Sequence, residues 1–333
     1  MDRPYAKVKI TPKGEKKLRS GHPWVFDAEI TDLSGTIENG DIVDVYSAKD
    51  RWLGAGFYNA NSKIRVRLIS RNANDRFDES FWRRALTYAV DYRRTVMGED
   101  DFKCCRLIFG EADRFPGLTV DRFGDVLVTE TLSLGIERIK EMLFPALVDI
   151  LRDRGAEITA VYERNDAALR LKEGMTQGKG FFLGSGDGHA EICENGIFYD
   201  VDYVNGQKTG FFLDQKYNRM AIRRIAAGRR VLDCFTHTGA FGFNAVAGGA
   251  EHVTSVDISA DAIAQTEKNA ARNGFTDKMD FVCADVFDLL TELSAGGGKR
   301  QYDLHRFHTK HLRKSAEKSE CQKILTLLFT NKT

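Results

Sequence analysis

The sequence has no excess of either charge: 49 Lys plus Arg stand against 48 Asp plus Glu in 333 residues. That balance excludes a protein held to nucleic acid by bulk charge, though it leaves room for a local basic face. Long apolar runs are missing as well. No stretch reaches the roughly 20 residues of a membrane span, and Met1-Asp2-Arg3-Pro4 has none of the apolar core of a signal peptide. The six cysteines are scattered, with one adjacent pair at Cys104-Cys105, and make neither a disulfide framework nor paired C-x-x-C zinc spacing. The expectation is a reduced, cytoplasmic protein without membrane or metal.

What is present divides into segments. Residues 1–76 read as a small all-β module, a partly closed barrel. Asp41-Ile42-Val43-Asp44-Val45-Tyr46 and Ile64-Arg65-Val66-Arg67-Leu68-Ile69 alternate with period two, and glycines punctuate them. Lys7, Lys9, Lys13, Lys16, Lys17 and Arg19 fall together with one acid, Glu15; this is either a solvated face or a phosphate-binding one. Residues 77–193 read as a mixed α+β segment. A helix is predicted from Asp78 to Met97, with Trp82, Leu86, Ala89 and Tyr92 inward. A hairpin follows with Gly124-Asp125 as its turn, then a helix from Ile139 to Arg152 and a strand from Ile158 to Tyr162. No catalytic constellation stands out there.

From residue 194 to 304 strands and helices alternate, which means a parallel, doubly wound α/β sheet. The predicted strands are Arg230–Phe235, Glu251–Ile258 and Met279–Ala284, with Tyr302-Asp303-Leu304 opening a fourth. Between them lie helices Phe241–Ala247, Ala260–Arg272 with Ser259 as its N-cap, and Val286–Leu293. Asp214 is expected to cap a helix closed by Gly228.

Ligands of such sheets bind at the carboxyl ends of the strands. Asp233, Asp257 and Asp285 stand at three successive strand ends. A cationic sulfonium with an amino-acid tail, a ribose and an adenine needs such partners. Asp257 suits ribose hydroxyls, Asp285 an adenine amino group, and Gly239 close backbone approach. A dinucleotide site would need G-x-G-x-x-G here, and Asp233 would repel a pyrophosphate. The blander alternative is that each acid only caps a helix.

At these residues a family resemblance appears. Asp233-x-Phe235-x-x-Thr238-Gly239 is similar to the first motif of RNA-modifying class I methyltransferases. Asn205-Gly206-Gln207-Lys208-Thr209-Gly210-Phe211-Phe212-Leu213-Asp214-Gln215 resembles the signature of bacterial large-subunit ribosomal RNA cytosine-5 methyltransferases. Gly21-His22-Pro23-Trp24-Val25-Phe26 resembles the opening of their PUA domain, and Phe109 to Leu118 the entry to their central domain. The resemblance covers residues 5 to 304. It implies an N-terminal PUA-like RNA-binding domain, a central α+β domain and a C-terminal Rossmann-like domain binding S-adenosylmethionine. It implies Gln207, Lys208, Thr209, Phe211, Asp233, Phe235, Thr238, Gly239, Asp257 and Asp285 at the cofactor. For RNA, Lys13, Lys16, Lys17, Arg19 and Trp24 are the expected contacts. The partner is ribosomal RNA, and a homodimer is an open option. The alternatives are a non-catalytic PUA-type RNA binder, or methylation of a different RNA base.

Cytosine C5 attacks a methyl group only after a thiolate adds at C6. The resemblance therefore implies an Asp-Pro-Pro on the fourth strand and a nucleophilic cysteine on a later one. After Leu304 the chain instead reads His305-Arg306-Phe307-His308-Thr309-Lys310-His311. Cys234 and Cys283 read as core packing and Cys321 lies in this tail, so no catalytic residue is assigned. Residues 305–333 read as an aberrant tail from a frameshift or truncation, with activity impaired. The three histidines read as an accidental cluster rather than metal ligands.

Overall fold

The computed structural model describes residues 3–295, 302 and 304–306. The side chains of 304–306, and with them His305, lie outside the described residues, as do His308, His311 and Cys321. Two compact units emerge. Unit 1 comprises Met1–Ile192 and Val201–Leu213; unit 2 comprises Cys193–Asp200 and Asp214–Thr333.

Unit 1 opens with β1 (Ala6–Ile10), α1 (Pro12–Arg19), β2 (Trp24–Phe26), β3 (Ile30–Ser34), β4 (Ile42–Ser47), β5 (Trp52–Tyr58) and β6 (Ile64–Ser70). The strands form one sheet in the order β2-β6-β5-β4-β1-β3. Alternation places Val8, Ile10, Val25, Val43, Val45 and Val66 in a common core. The all-β expectation needs correction at α1. Thr11 ends the strand and caps the helix, its hydroxyl accepting from the Gly14 N–H at 3.2 Å, and Pro12 occupies the first turn. Leu18 then anchors the helix in the core. The basic run is thus helical rather than extended.

The second part of unit 1 contains α2 (Glu79–Val96), α3 (Glu99–Phe102), β7 (Cys104–Phe109), β8 (Leu118–Phe123), β9 (Val126–Thr131), α4 (Leu134–Arg152), β10 (Ala160–Asn165), α5 (Leu169–Lys172) and β11 (Gly178–Leu183). Its sheet runs β11-β10-β9-β8-β7, with α2 and α4 sharing its main apolar core. The Asp78 carboxylate caps α2 by accepting from the Phe81 N–H at 2.9 Å. Trp82, Leu86 and Ala89 point inward as expected, but Tyr92 is 58% exposed. Position 93 continues the inward face, and there Arg93 forks onto Asp113 at 2.9 and 2.6 Å. The helix read from Ile139 begins earlier, at Leu134, and the strand read from Ile158 begins at Ala160.

A hairpin of β12 (His189–Glu194) and β13 (Ile197–Asp202) carries the division between the units. Residues 201–213 are held within unit 1. Arg164 Nη1 donates to the carbonyls of Tyr203 and Gly206, both at 2.9 Å. The Thr209 hydroxyl donates to Asp121 at 2.5 Å.

Unit 2 continues with α6 (Lys216–Ala226), β14 (Arg230–Cys234), α7 (Ala240–Ala247), β15 (His252–Asp257), α8 (Ala260–Arg272), β16 (Met279–Cys283), α9 (Val286–Ala295) and β17 (Leu304–Arg306). All four strands β16-β15-β14-β17 pair in parallel. The doubly wound reading therefore holds, and the strand order reverses at β14. Ser259 caps α8 as expected, accepting from the Ala262 N–H at 3.2 Å. Asp214 does not cap α6. It lies in a 3-10 turn, Gln215 takes the N-cap position without a side-chain cap, and the Asp214 carboxylate accepts from the Gln215 amide at 2.9 Å. Cys234 is fully buried, but Cys283 is exposed because it ends β16 instead of filling its centre.

Candidate cofactor site

Where strand order reverses, the carboxyl ends of neighbouring strands leave a crevice. Here β14 runs into Phe235-Thr236-His237-Thr238-Gly239 before α7. Phe235, His237 and Gly239 have φ of +56°, +57° and +81°. For Phe and His this left-handed backbone is strained, and it persists only where surroundings impose it. Asp233, 0% exposed, does so: its Oδ2 accepts from the Thr236 hydroxyl at 2.6 Å and the Gly242 N–H at 3.0 Å. The Thr266 hydroxyl donates to the His237 carbonyl at 3.1 Å. Gly239 is required twice over. Its φ is positive, and a Cβ there would stand 2.5 Å from Phe243 Cζ and 2.6 Å from Thr266 Cγ2. The loop is also pinned through its own backbone: the Thr236 N–H donates to the Val256 carbonyl at 2.9 Å and the Gly239 N–H to the Thr236 carbonyl at 3.1 Å.

Asp257, half-buried at the end of β15, accepts from the His237 N–H at 2.9 Å through Oδ2 and from the Ser259 N–H at 3.1 Å through Oδ1. Asp285 caps α9, its Oδ1 accepting from the Phe287 N–H at 2.7 Å. Both carboxylates thus have fixed orientations and stay partly open to solvent. Directly after Asp257, Ile258 exposes 68% of its surface. The Phe235 and Phe287 rings meet edge to face at 5.8 Å. The Thr238 hydroxyl oxygen is buried without a hydrogen-bond partner among the described residues.

Unit 2 thus gathers Asp233, Phe235, Thr238, Gly239, Asp257 and Asp285 at one edge of its sheet. Asp233 differs from the others: it holds the loop from below and is closed to solvent. Gln207, Lys208, Thr209 and Phe211 belong to unit 1. There Lys208 has φ +54° and its ammonium lies 4.4 Å from the Phe212 ring centroid, while Phe211 is buried. Ile258 and Phe287 were not singled out from the sequence. For Ile258 the available signal was an apolar residue directly after a strand-end acid, at a place that faces water.

The chemistry of the edge fits an adenosine derivative with an amino-acid tail. Oriented carboxylates suit a cis-diol and an amine, an exposed Ile suits one face of a purine, and the unsatisfied Thr238 hydroxyl suits a carboxylate. Among the described residues, no three His, Cys, Asp or Glu side chains are placed to hold a metal.

The RNA-binding residues expected from the sequence cluster in unit 1. Lys13 and Lys16 are exposed and form no ion pair among the described residues, whereas Lys17 pairs with Glu29 and Arg19 with Glu15 at 2.8 Å. Trp24 is half-buried; its indole N–H donates to Glu111 at 2.7 Å, and the Arg67 guanidinium lies 5.7 Å from its ring. Among the described residues, no helix is long and apolar enough to cross a membrane.

Comparison with known proteins places these features in a family. A PUA-like domain model matches residues 8–71, and an S-adenosylmethionine-dependent methyltransferase model matches residues 170–316. Ribosomal RNA large subunit methyltransferase I of Aliivibrio fischeri is 38% identical over 86% of this chain and 71% of its own length. The protein of that name from Klebsiella pneumoniae is 37% identical over 87% and 72%. A solved methyltransferase structure complexed with SAH shares the fold at a TM-score of 0.76 and 24% identity, over 90% of this chain and 74% of that one. A structure from Streptococcus mutans does so at 0.77 and 22%, over 98% and 91%.

Proposed function

The chain belongs to the ribosomal RNA large subunit methyltransferase I family of S-adenosylmethionine-dependent enzymes, and from that premise we propose that it methylates C5 of a cytosine in large-subunit ribosomal RNA. The observation that carries the cofactor part is the sheet edge, with its strained loop, its two oriented carboxylates and its solvent-facing Ile258. Asp257 binds the ribose hydroxyls and Asp285 accepts from the adenine amino group. Ile258 packs on the adenine face. The Thr238 hydroxyl, buried and without a hydrogen-bond partner among the described residues, binds the carboxylate of the tail. Asp233 and Gly239 keep the loop in shape, and Phe235 walls it. Gln207, Lys208, Thr209 and Phe211 are assigned to the same cofactor by resemblance.

When bound, S-adenosylmethionine supplies the electrophilic methyl group. The chain's own task is to orient that group and the base and to exclude water. RNA is gripped through Lys13 and Lys16, with Lys17, Arg19 and Trp24 beside them. Cys234 is fully buried and so is closed to a nucleobase, and no nucleophile is assigned. The protein works in the cytoplasm.

Calorimetry with S-adenosylmethionine and with a nicotinamide dinucleotide tests the cofactor; binding of only the second overturns it. Labelled methyl transfer to unmodified large-subunit ribosomal RNA, followed by nucleoside mass spectrometry, tests the substrate. Methyl on another base would correct the position. RNA binding with no transfer would favour a purely RNA-binding role.

A further inference from the structure

Unit 1 contains a cavity of about 280 Å³ lined by Phe109, Glu111, Gly117, Thr119 and Leu132, among others. Small-molecule pockets start near 300 Å³, so this space suits one planar ring system. Phe109 ends β7 with 57% of its surface exposed. The Arg106 guanidinium sits 5.4 Å from the Phe109 centroid. Arg106 is not free to swing away, because its fork is held by Asp121 at 2.8 and 2.9 Å. A solvent-facing ring with a fixed cation beside it is the arrangement that stacks a base and attracts its phosphate.

Glu111 gives the cavity a polar requirement. Its Oε1 accepts from the Trp24 indole N–H at 2.7 Å and from Arg67 Nη1 at 3.3 Å, so the carboxylate is fixed. Its Oε2 takes no hydrogen bond among the described residues. A fixed, negative acceptor repels a free phosphate and asks for an N–H donor, which an exocyclic amino group supplies. The surface also continues toward α1. Trp24 stands 5.6 Å from His22 and 6.2 Å from Phe26, and the Lys17 ammonium lies 5.1 Å from the Phe26 ring. Aromatic rings and cations therefore alternate from the basic helix to the cavity.

We propose that this cavity holds one unpaired base of the RNA, stacked on Phe109 and recognised through its exocyclic amino group by Glu111. The proposal rests on RNA being the substrate, and it adds a second contact point outside the cofactor domain. The test is fluorescence anisotropy of the full chain with short labelled single-stranded RNAs, one cytosine-rich and one uridine-rich. The cytosine-rich strand binds roughly fivefold more tightly, because cytosine turns its amino group to Glu111 where uracil has a carbonyl oxygen that the carboxylate repels. Phe109→Ala weakens binding of both about tenfold, Phe109→Trp restores it, and Glu111→Gln erases the preference between them. If Phe109→Ala, with an unchanged melting midpoint, binds within twofold of the original chain, the cavity is not a base site although RNA binding stands. If the original chain binds neither RNA, the substrate assignment fails and the cavity proposal with it. Displacement of bound RNA from the original chain, but not from Phe109→Ala, by free cytidine supports the proposal. Occupation by an arginine-rich peptide that leaves RNA binding untouched overturns it.

Discussion

Replacing Gly239 by alanine should destabilise unit 2 selectively. An L side chain in the left-handed region costs about 1–2 kcal/mol. The new Cβ would also stand 2.5 Å from Phe243 Cζ and 2.6 Å from Thr266 Cγ2. Phe243 is fully buried, so it has nowhere to withdraw without disturbing the core. Overpacking of this kind costs about 1–3 kcal/mol. The sum is about 2–5 kcal/mol, against a domain margin of about 5–15 kcal/mol. With a urea dependence of about 1–3 kcal/mol per molar, the midpoint should fall by about 1–2 M. Trp24, Trp52 and Trp82 are the chain's three tryptophans, and all lie in unit 1. Tryptophan fluorescence therefore reports unit 1, while far-ultraviolet circular dichroism reports both. The expected result is an early loss of ellipticity with the fluorescence transition in place. Thr266→Ser removes the clashing methyl and keeps the hydroxyl that bonds the His237 carbonyl, so adding it should recover part of the loss. A midpoint unmoved within error, or a double variant no better than the single one, would refute the steric account.

Other expectations follow from single contacts. Glu194 and Arg219 are an ion pair at 2.6 and 2.8 Å with side chains 0% and 2% exposed; Glu194→Ala should cost about 3–5 kcal/mol in denaturant melts, and Glu194→Leu with Arg219→Met should regain most of it. Ile258→Ala should leave the melting midpoint unchanged and weaken S-adenosylmethionine binding about fivefold in calorimetry, since Ile258 has little protein to lose and a purine face to lose. Burial pushes the Glu130 carboxyl above its ordinary range. The folded chain then holds this proton to higher pH than the unfolded one, so the group's contribution falls as pH rises above the ordinary glutamate range. Glu130→Gln should flatten that decline in melts of unit 1 as pH is raised above the ordinary glutamate range, and an unchanged slope would reject it. Lys13→Ala with Lys16→Ala should lower the slope of log K for single-stranded RNA against log salt by roughly 1–2, as expected if each lysine neutralises one phosphate.

The sequence by itself determined unit 2 closely. A buried strand, a glycine turn and a capped amphipathic helix are each written in contiguous residues, and Ser259 capping α8 needs no distant partner. The strand-end acids were legible for the same reason, because topology puts a βα turn at the carboxyl edge whatever the rest of the chain does. Other features depended on residues far apart in sequence. The helix α1 was hidden because its basic residues mask the single inward Leu18, and Lys17 and Trp24 find their partners only where Glu29 and Glu111 arrive. Arg93 rather than Tyr92 turns inward because Asp113 waits there with a matching fork. The 205–215 signature reads as one run, yet residues up to 213 fold with unit 1, because Arg164 and Asp121 satisfy that segment's carbonyls and hydroxyl from a sheet laid down much earlier in the chain. Local periodicity sets which residues form an element; which polar groups are satisfied, and which stay open for a ligand, is decided only when separate elements meet in space.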